Sequence, residues 1–68
     1  MDIQVVVNGE RRAAPEGQTV LGLLRDLRLE PARLAVELDR RILKQPLWES
    51  TVLCDGAQLE IVQFVGGG

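Results

Sequence analysis

Three glycines, Gly66-Gly67-Gly68, follow directly on a strand-like run, Leu59-Glu60-Ile61-Val62-Gln63-Phe64-Val65. Residues without Cβ make a thin tether, mobile at a chain end. Fully extended, three of them reach roughly 10 Å. Gly68 carries the α-carboxyl group, which in model peptides titrates near about 3.3–3.7 and is ionised at neutral pH. A tail of this shape can thread a narrow channel and present its carboxylate to the active site of another protein. The plainer reading is a frayed end. A carboxylate resists nucleophiles, because attack places still more negative charge on it. It becomes reactive only as an acyl derivative with a good leaving group, an acyl-adenylate for example, and a glycyl acyl group is the least hindered of all. The tail therefore reads as substrate and carrier rather than as catalyst.

The rest of the chain offers little that could catalyse. It contains no histidine, no tyrosine and one cysteine, Cys54. It has no CxxC pair, and no glycine loop of the kind that cradles phosphate. Asn8-Gly9 and Asp55-Gly56 read as turns. Glu37 and Asp39 could form an acid–base pair on one face of a strand, but exposed carboxylates are usually just solvated. Cys54 has no histidine to deprotonate it, and a buried structural cysteine is the expectation. No general acid–base constellation is available, so the chain is expected not to be an enzyme in its own right.

Composition narrows the class. With 68 residues, the chain is one small domain that buries only about 60% of its unfolded surface. Hydrophobic residues make up 46% and aromatics 3%, which predicts an aliphatic core of Val, Leu and Ile. A single thiol without histidine disfavours a zinc site and forbids an internal disulfide, so a reducing, cytoplasmic setting is expected. Eight basic and ten acidic residues are interspersed for a net charge of −2. That balance disfavours nucleic acid. No apolar stretch approaches the roughly 20 residues of a membrane span, and Met1-Asp2 does not open a signal peptide.

The elements that position the tail are legible from periodicity. Ile3, Val5 and Val7 alternate as a half-buried strand. Asn8-Gly9 predicts a type I′ hairpin turn, and Glu10-Arg11-Arg12-Ala13-Ala14 a polar return strand at a sheet edge. Pro15-Glu16-Gly17 reads as a turn, and Thr19 as a helix N-cap. Val20, Leu23, Leu24 and Leu27 form one apolar helical stripe, with the helix ending near Leu29 ahead of Pro31. Gly22 inside it is unfavourable by about 1 kcal/mol relative to alanine and could serve close packing. Leu34, Val36 and Leu38 alternate inward on a further strand. A turn at Asp39-Arg40-Arg41, a short strand at Ile42-Leu43, an irregular or single-turn segment at Pro46-Leu47-Trp48 and a turn at Asp55-Gly56 precede the last strand. That strand is the most apolar and is placed centrally, beside the first. The order predicts an α+β fold, the β-grasp or ubiquitin-like arrangement: a mixed sheet of four to five strands with one main helix packed on one face. A single domain over residues 1–65 and a flexible glycine tail over residues 66–68 complete the layout.

Period two also assigns a second surface. If Leu59 and Ile61 face the helix, Val62 and Phe64 face away from it. Val6 of the first strand and Ala35 of the third join them on the outer side. An apolar patch there predicts a protein interface, unless loops cover it or the register slips by one.

Taken together, these residues resemble a known family. Leu34-Ala35-Val36-Glu37-Leu38, Trp48, Asp55-Gly56, Leu59-Glu60-Ile61-Val62 and Phe64-Val65-Gly66-Gly67-Gly68 are similar to the ThiS family of sulfur carriers of thiamin biosynthesis, as are the Val-Asn-Gly hairpin and the capped Leu-rich helix. The specific part is Val-Gly-Gly-Gly behind an Ile-Val-x-Phe strand. Departures fall at Asp39, where the family commonly has Asn, near Gln45, where it has a basic residue, and at Ala57, where it often has an acid; all three are expected at surface or turn positions. The resemblance implies that a ubiquitin-activating-like adenylyltransferase activates Gly68 with ATP. A cysteine desulfurase or rhodanese-type donor then supplies sulfur to give a thiocarboxylate, and thiazole synthase takes that sulfur into the thiazole ring. Gly67 would be the partner of Gly68 in the diglycine motif, with Gly66 extending the tether. The chain itself would bind no cofactor, ATP being used by its partner. Alternatives are the small subunit of molybdopterin synthase, whose chains tend to be longer and richer in aromatics, a ubiquitin-like protein modifier, and an inert β-grasp binding module.

Overall fold

A computed structural model of the chain describes residues 1–65. Gly66, Gly67 and Gly68 lie outside the described residues. Strand β1 (Asp2–Val7) and strand β2 (Glu10–Pro15) form the antiparallel hairpin that Asn8-Gly9 predicts, with φ of +50° and +85° at its two turn residues. Helix α1 (Val20–Asp26), strand β3 (Leu34–Leu38), strand β4 (Arg41–Leu43) and strand β5 (Gln58–Gln63) follow. One-turn 3₁₀ segments stand at Pro31–Arg33 and Gln45–Leu47. The five strands make one mixed sheet in the order β2-β1-β5-β3-β4, with β1 parallel to β5 and the other neighbours antiparallel. This is the β-grasp, with β5 at the centre and the polar β2 at an edge, as the sequence predicts.

One face of the sheet is buried under α1. Val20, Leu23 and Leu24 of the helix pack with Val5, Val7, Leu34, Val36 and Leu59 of the strands. Thr19 caps the helix, its Oγ1 accepting from the Gly22 N–H at 3.1 Å. A Cβ on Gly22 would stand 3.2 Å from Gln18 Cγ and 3.4 Å from Thr19 Oγ1. Glycine here therefore makes room for the helix's own cap rather than for close approach to another element. Among the described residues, no helix is long and apolar enough to cross a membrane.

Three expectations are corrected. The helix ends at Asp26, not near Leu29. Arg28 turns left-handed (φ +59°), Leu29 N–H donates to Leu24 C=O at 3.1 Å, and Arg28 N–H donates to Arg25 C=O at 2.9 Å. That pair of bonds is a Schellman ending, which stops the helix before Pro31 can act. The core is not purely aliphatic. Trp48 is one of its largest fully buried side chains, and its Nε1–H donates to Leu43 C=O at 2.7 Å. Finally, Ala57 is buried, at 5% exposure. It is thus a core position rather than a surface one, and an acid there would have to turn outward.

A left-handed arginine is strained relative to glycine, which has no Cβ to clash in that region. Arg28→Gly is expected to raise stability by roughly 0.5–1 kcal/mol, because the strain removed exceeds the added chain entropy of the unfolded state. Chemical denaturation reads this as a higher midpoint at unchanged slope.

Candidate functional site

The strand that leads to the glycines is held by bonds of two kinds. Toward β3, the register pairs Glu60 with Glu37 and Val62 with Ala35, and Phe64 N–H donates to Arg33 C=O at 2.8 Å. Directly opposite residues of an antiparallel pair share a face, so Ala35 and Val62 stand side by side. Phe64, two residues on, joins them. Toward β1 the support is shorter, because β1 turns away after Val7, which pairs with Leu59. The side chain of Asn8 takes the place of the next strand residue. Its Oδ1 accepts from Ile61 N–H at 2.7 Å, and its Nδ2 donates to Ile61 C=O at 3.2 Å. One asparagine thus sits in the left-handed position of the turn and also satisfies the backbone of the central strand.

Val62 and Phe64 are more than half exposed, at 56% and 55%, and Ala35 is half-buried between them and the sheet. Val65 is 94% exposed. An apolar cluster therefore stands at the root of the tail, on the face opposite α1. Val6 lies on the same face but apart from this cluster. It pairs with Gln58, four residues before Val62 along the parallel strand, a separation of roughly 13 Å, and the acidic pair Glu37–Glu60 lies between. Sequence reasoning missed Ile42. It is opposite Glu37 and 76% exposed. The alternation in Ile42-Leu43 carried the signal, since an inward Leu43 obliges Ile42 to face out.

The remaining candidates separate. Asp39 is not on the strand with Glu37. It sits in the β3–β4 turn with φ +51°, and its Oδ1 accepts from Gln58 N–H at 3.0 Å. A carboxylate used as a turn anchor is not free to act with Glu37. Cys54 is exposed, contrary to the expectation of burial. Leu53 takes the core position at this point of the chain, and the next side chain points outward. Gly66, Gly67 and Gly68, the predicted reactive tail, lie outside the described residues. The site of interest is thus the end of β5 and the apolar cluster that flanks it.

With this geometry in view, comparison with known proteins is informative. The family model described as ThiS family matches residues 5–68. The chain belongs to the ThiS family. It is 29% identical to the sulfur carrier protein ThiS of Escherichia coli over 66 residues, covering 97% of this chain and 100% of that one. It is 35% identical over 66 residues to a thiazole synthase of Magnetococcus marinus, covering 97% of this chain and 20% of that protein. The chain therefore spans about one fifth of the length of that relative. Among solved structures, the crystal structure of the thiamine biosynthesis protein ThiS from Geobacter metallireducens superposes with a TM-score of 0.83 at 29% identity, covering 97% of this chain and 100% of that one.

Proposed function

We propose that the chain is a sulfur carrier for thiamin biosynthesis, loaded at Gly68. The family match over residues 5–68 carries this reading, and the placement of the tail's root agrees with it. β5 is the central strand, braced by β3 on one side and by the Asn8 side chain on the other. Its end at Gln63 leads through Phe64 and Val65 to the glycines.

The chemistry follows from the carboxylate. A ubiquitin-activating-like adenylyltransferase brings ATP to Gly68. A carboxylate oxygen attacks the α-phosphorus, pyrophosphate leaves, and the glycyl carbon becomes an acyl-adenylate. The terminal sulfur of a persulfide on a cysteine desulfurase or rhodanese-type donor attacks the acyl carbon and displaces AMP, and a thiol reductant then cleaves the S–S bond of the resulting acyl disulfide to leave the thiocarboxylate. Thiazole synthase then takes the sulfur for the thiazole ring. Two thiazole synthases that contain a region similar to this chain support that last partner. In this scheme the chain is a co-substrate of other proteins, not an enzyme, binds no cofactor of its own, and works in the cytoplasm.

Intact-protein mass spectrometry tests the reading. After incubation with ATP, activating enzyme and sulfur donor, one oxygen of the chain is expected to be exchanged for sulfur. High-mass conjugates would identify a protein modifier instead, and an unchanged mass would identify an inert module.

The apolar cluster supplies the docking face. Val62→Glu with Phe64→Glu is expected to weaken binding to the activating enzyme by tenfold or more, about 1–2 kcal/mol for each buried anchor lost. Both side chains are more than half exposed, so thermal stability should hold. Titration calorimetry and a melting curve read the two effects separately, and unfolding of the double variant would place these side chains in the core.

A further inference from the structure

The early end of α1 leaves part of the sheet's inner face uncovered. Leu27 and Leu29, beyond the last helical turn, remain half-buried, as does Ile61 beneath them. Together with Val7, Asn8 and Gln63 they line an open groove of about 220 Å³. It lies on the helix side of β5, on the face opposite Ala35, Val62 and Phe64.

The groove runs beside an unfinished strand edge. On β5, Phe64 N–H points to β3, where it meets Arg33 C=O, and Glu60 and Val62 share that side by alternation. Leu59, Ile61 and Gln63 therefore point their backbone groups the other way. Leu59 C=O meets Asn8 N–H, and Ile61 meets the Asn8 side chain. Asn8 is the last group that β1 and its turn supply. Gln63 comes next, and its N–H and C=O face the side β1 has left. An edge of this kind is a template for another extended chain.

We propose that the groove and the Gln63 edge together receive an extended segment of the enzyme that acts on the C-terminal carboxylate. That segment adds a strand beside β5 and places an aliphatic or aromatic side chain against Leu27, Leu29 and Ile61. The proposal rests on the carrier reading above and adds a second contact surface to it. The occupant follows from reach. On the carrier reading the reacting residue is Gly68, three residues beyond Val65, a span of roughly 10 Å when extended. An enzyme whose catalytic atoms meet the Gly68 carboxylate must stand over the end of β5, and Gln63 is the last strand residue there, on the side that β1 has left. Glycines 66–68 carry no side chain that could fill an apolar groove, so the tail itself is a poor occupant. Contact on both faces of β5 would grip the strand as a clamp and set the direction in which the tail leaves.

The test uses Gln63→Pro and Gln63→Ala in the full chain. Proline removes the outward N–H and no bond to β3, so the sheet keeps its ladder. Alanine keeps the N–H. With the adenylating enzyme, Gln63→Pro is expected to bind about tenfold more weakly than Gln63→Ala, with melting curves recorded for both. In a methyl-labelled chain, the Leu27, Leu29 and Ile61 methyl resonances are expected to shift on enzyme binding alongside those of Val62. Equal affinities for the two variants, or unmoved Leu27 and Leu29 methyls in the complex, overturn the proposal while leaving the carrier reading intact. A dimer of the wild-type chain that Gln63→Pro dissolves overturns it too, since the edge would then belong to a second copy. A wild-type chain that is never adenylated overturns the carrier reading, and this proposal with it.

Discussion

A chain shortened to end at Gly66 is expected to take up no sulfur at all, while its melting temperature stays within about 2 °C of the full chain. Both halves of that result follow from where the tail begins. Among the described residues, β5 ends at Gln63, and the last backbone bond on the β3 side, from Phe64 N–H to Arg33 C=O, precedes the first glycine. Every buried side chain of the described core belongs to a residue no later than Leu59, so the deletion removes none of them. In a domain of this size 1 kcal/mol moves the melting temperature by roughly 4–8 °C, so a loss of a few tenths falls within the stated range. The effect on chemistry is of another order. The shortened chain still ends in a carboxylate, but two residues earlier, some 7 Å short of its former reach. A misplacement of about 1 Å can cost a reaction about a hundredfold, and a gap of that length leaves the acyl carbon outside the activating site. Mass spectrometry after incubation with ATP, enzyme and donor reads the chemistry, and calorimetry reads the fold. A large fall in melting temperature would show that the glycines pack against the body and are not a free tether.

The second large effect is expected at Trp48. Trp48→Ala should cost about 3–5 kcal/mol, the usual range for emptying a large aromatic site. A natural domain holds roughly 0.05–0.15 kcal/mol per residue, so for a chain this small the loss is comparable to its entire stability. Trp48 is 2% exposed and does two things at once. Its ring belongs to the buried core cluster with side chains of α1 and the sheet. Its Nε1–H satisfies Leu43 C=O at 2.7 Å, tying the edge strand β4 to the segment that follows it. Alanine leaves a cavity and removes that bond together. Trp48→Phe should be milder, since it keeps most of the volume and loses only the bond. Near-ultraviolet circular dichroism and denaturant titration read the result. A variant with native stability would mean that the core collapses around the gap without loss.

Local signals explain why so much of the fold was legible in the residues. Val5 and Val7, Leu34 and Val36, and Leu59 alternate because one sheet face is buried, and a strand's period is two. Asn8-Gly9 specifies a turn that few other pairs can adopt, and Thr19 declares the helix start. The outward sides of Ala35, Val62 and Phe64 followed from the same period. Long-range facts were not legible in this way. Trp48 occurs in a stretch with no period at all, so its burial depends on β4 and α1 closing over it. The turn at Asp39 was legible, but the bond its Oδ1 accepts from Gln58 N–H, 19 residues away, was not. Val6 read as part of one patch with Val62, yet the parallel register of β1 and β5 sets them far apart along the strands.

By itself the sequence determined the hairpin, the capped apolar helix, the alternating strands and the glycine end, because each depends on residues close together in the chain. Only the tertiary structure decided where the helix stops, which side chain completes the core, and how β1 leaves β5 half-paired. The last two depend on register and closure between segments up to 53 residues apart, as in the bonds from Asn8 to Ile61. No local pattern encodes that distance, because the energy that sets it exists only once the strands lie side by side.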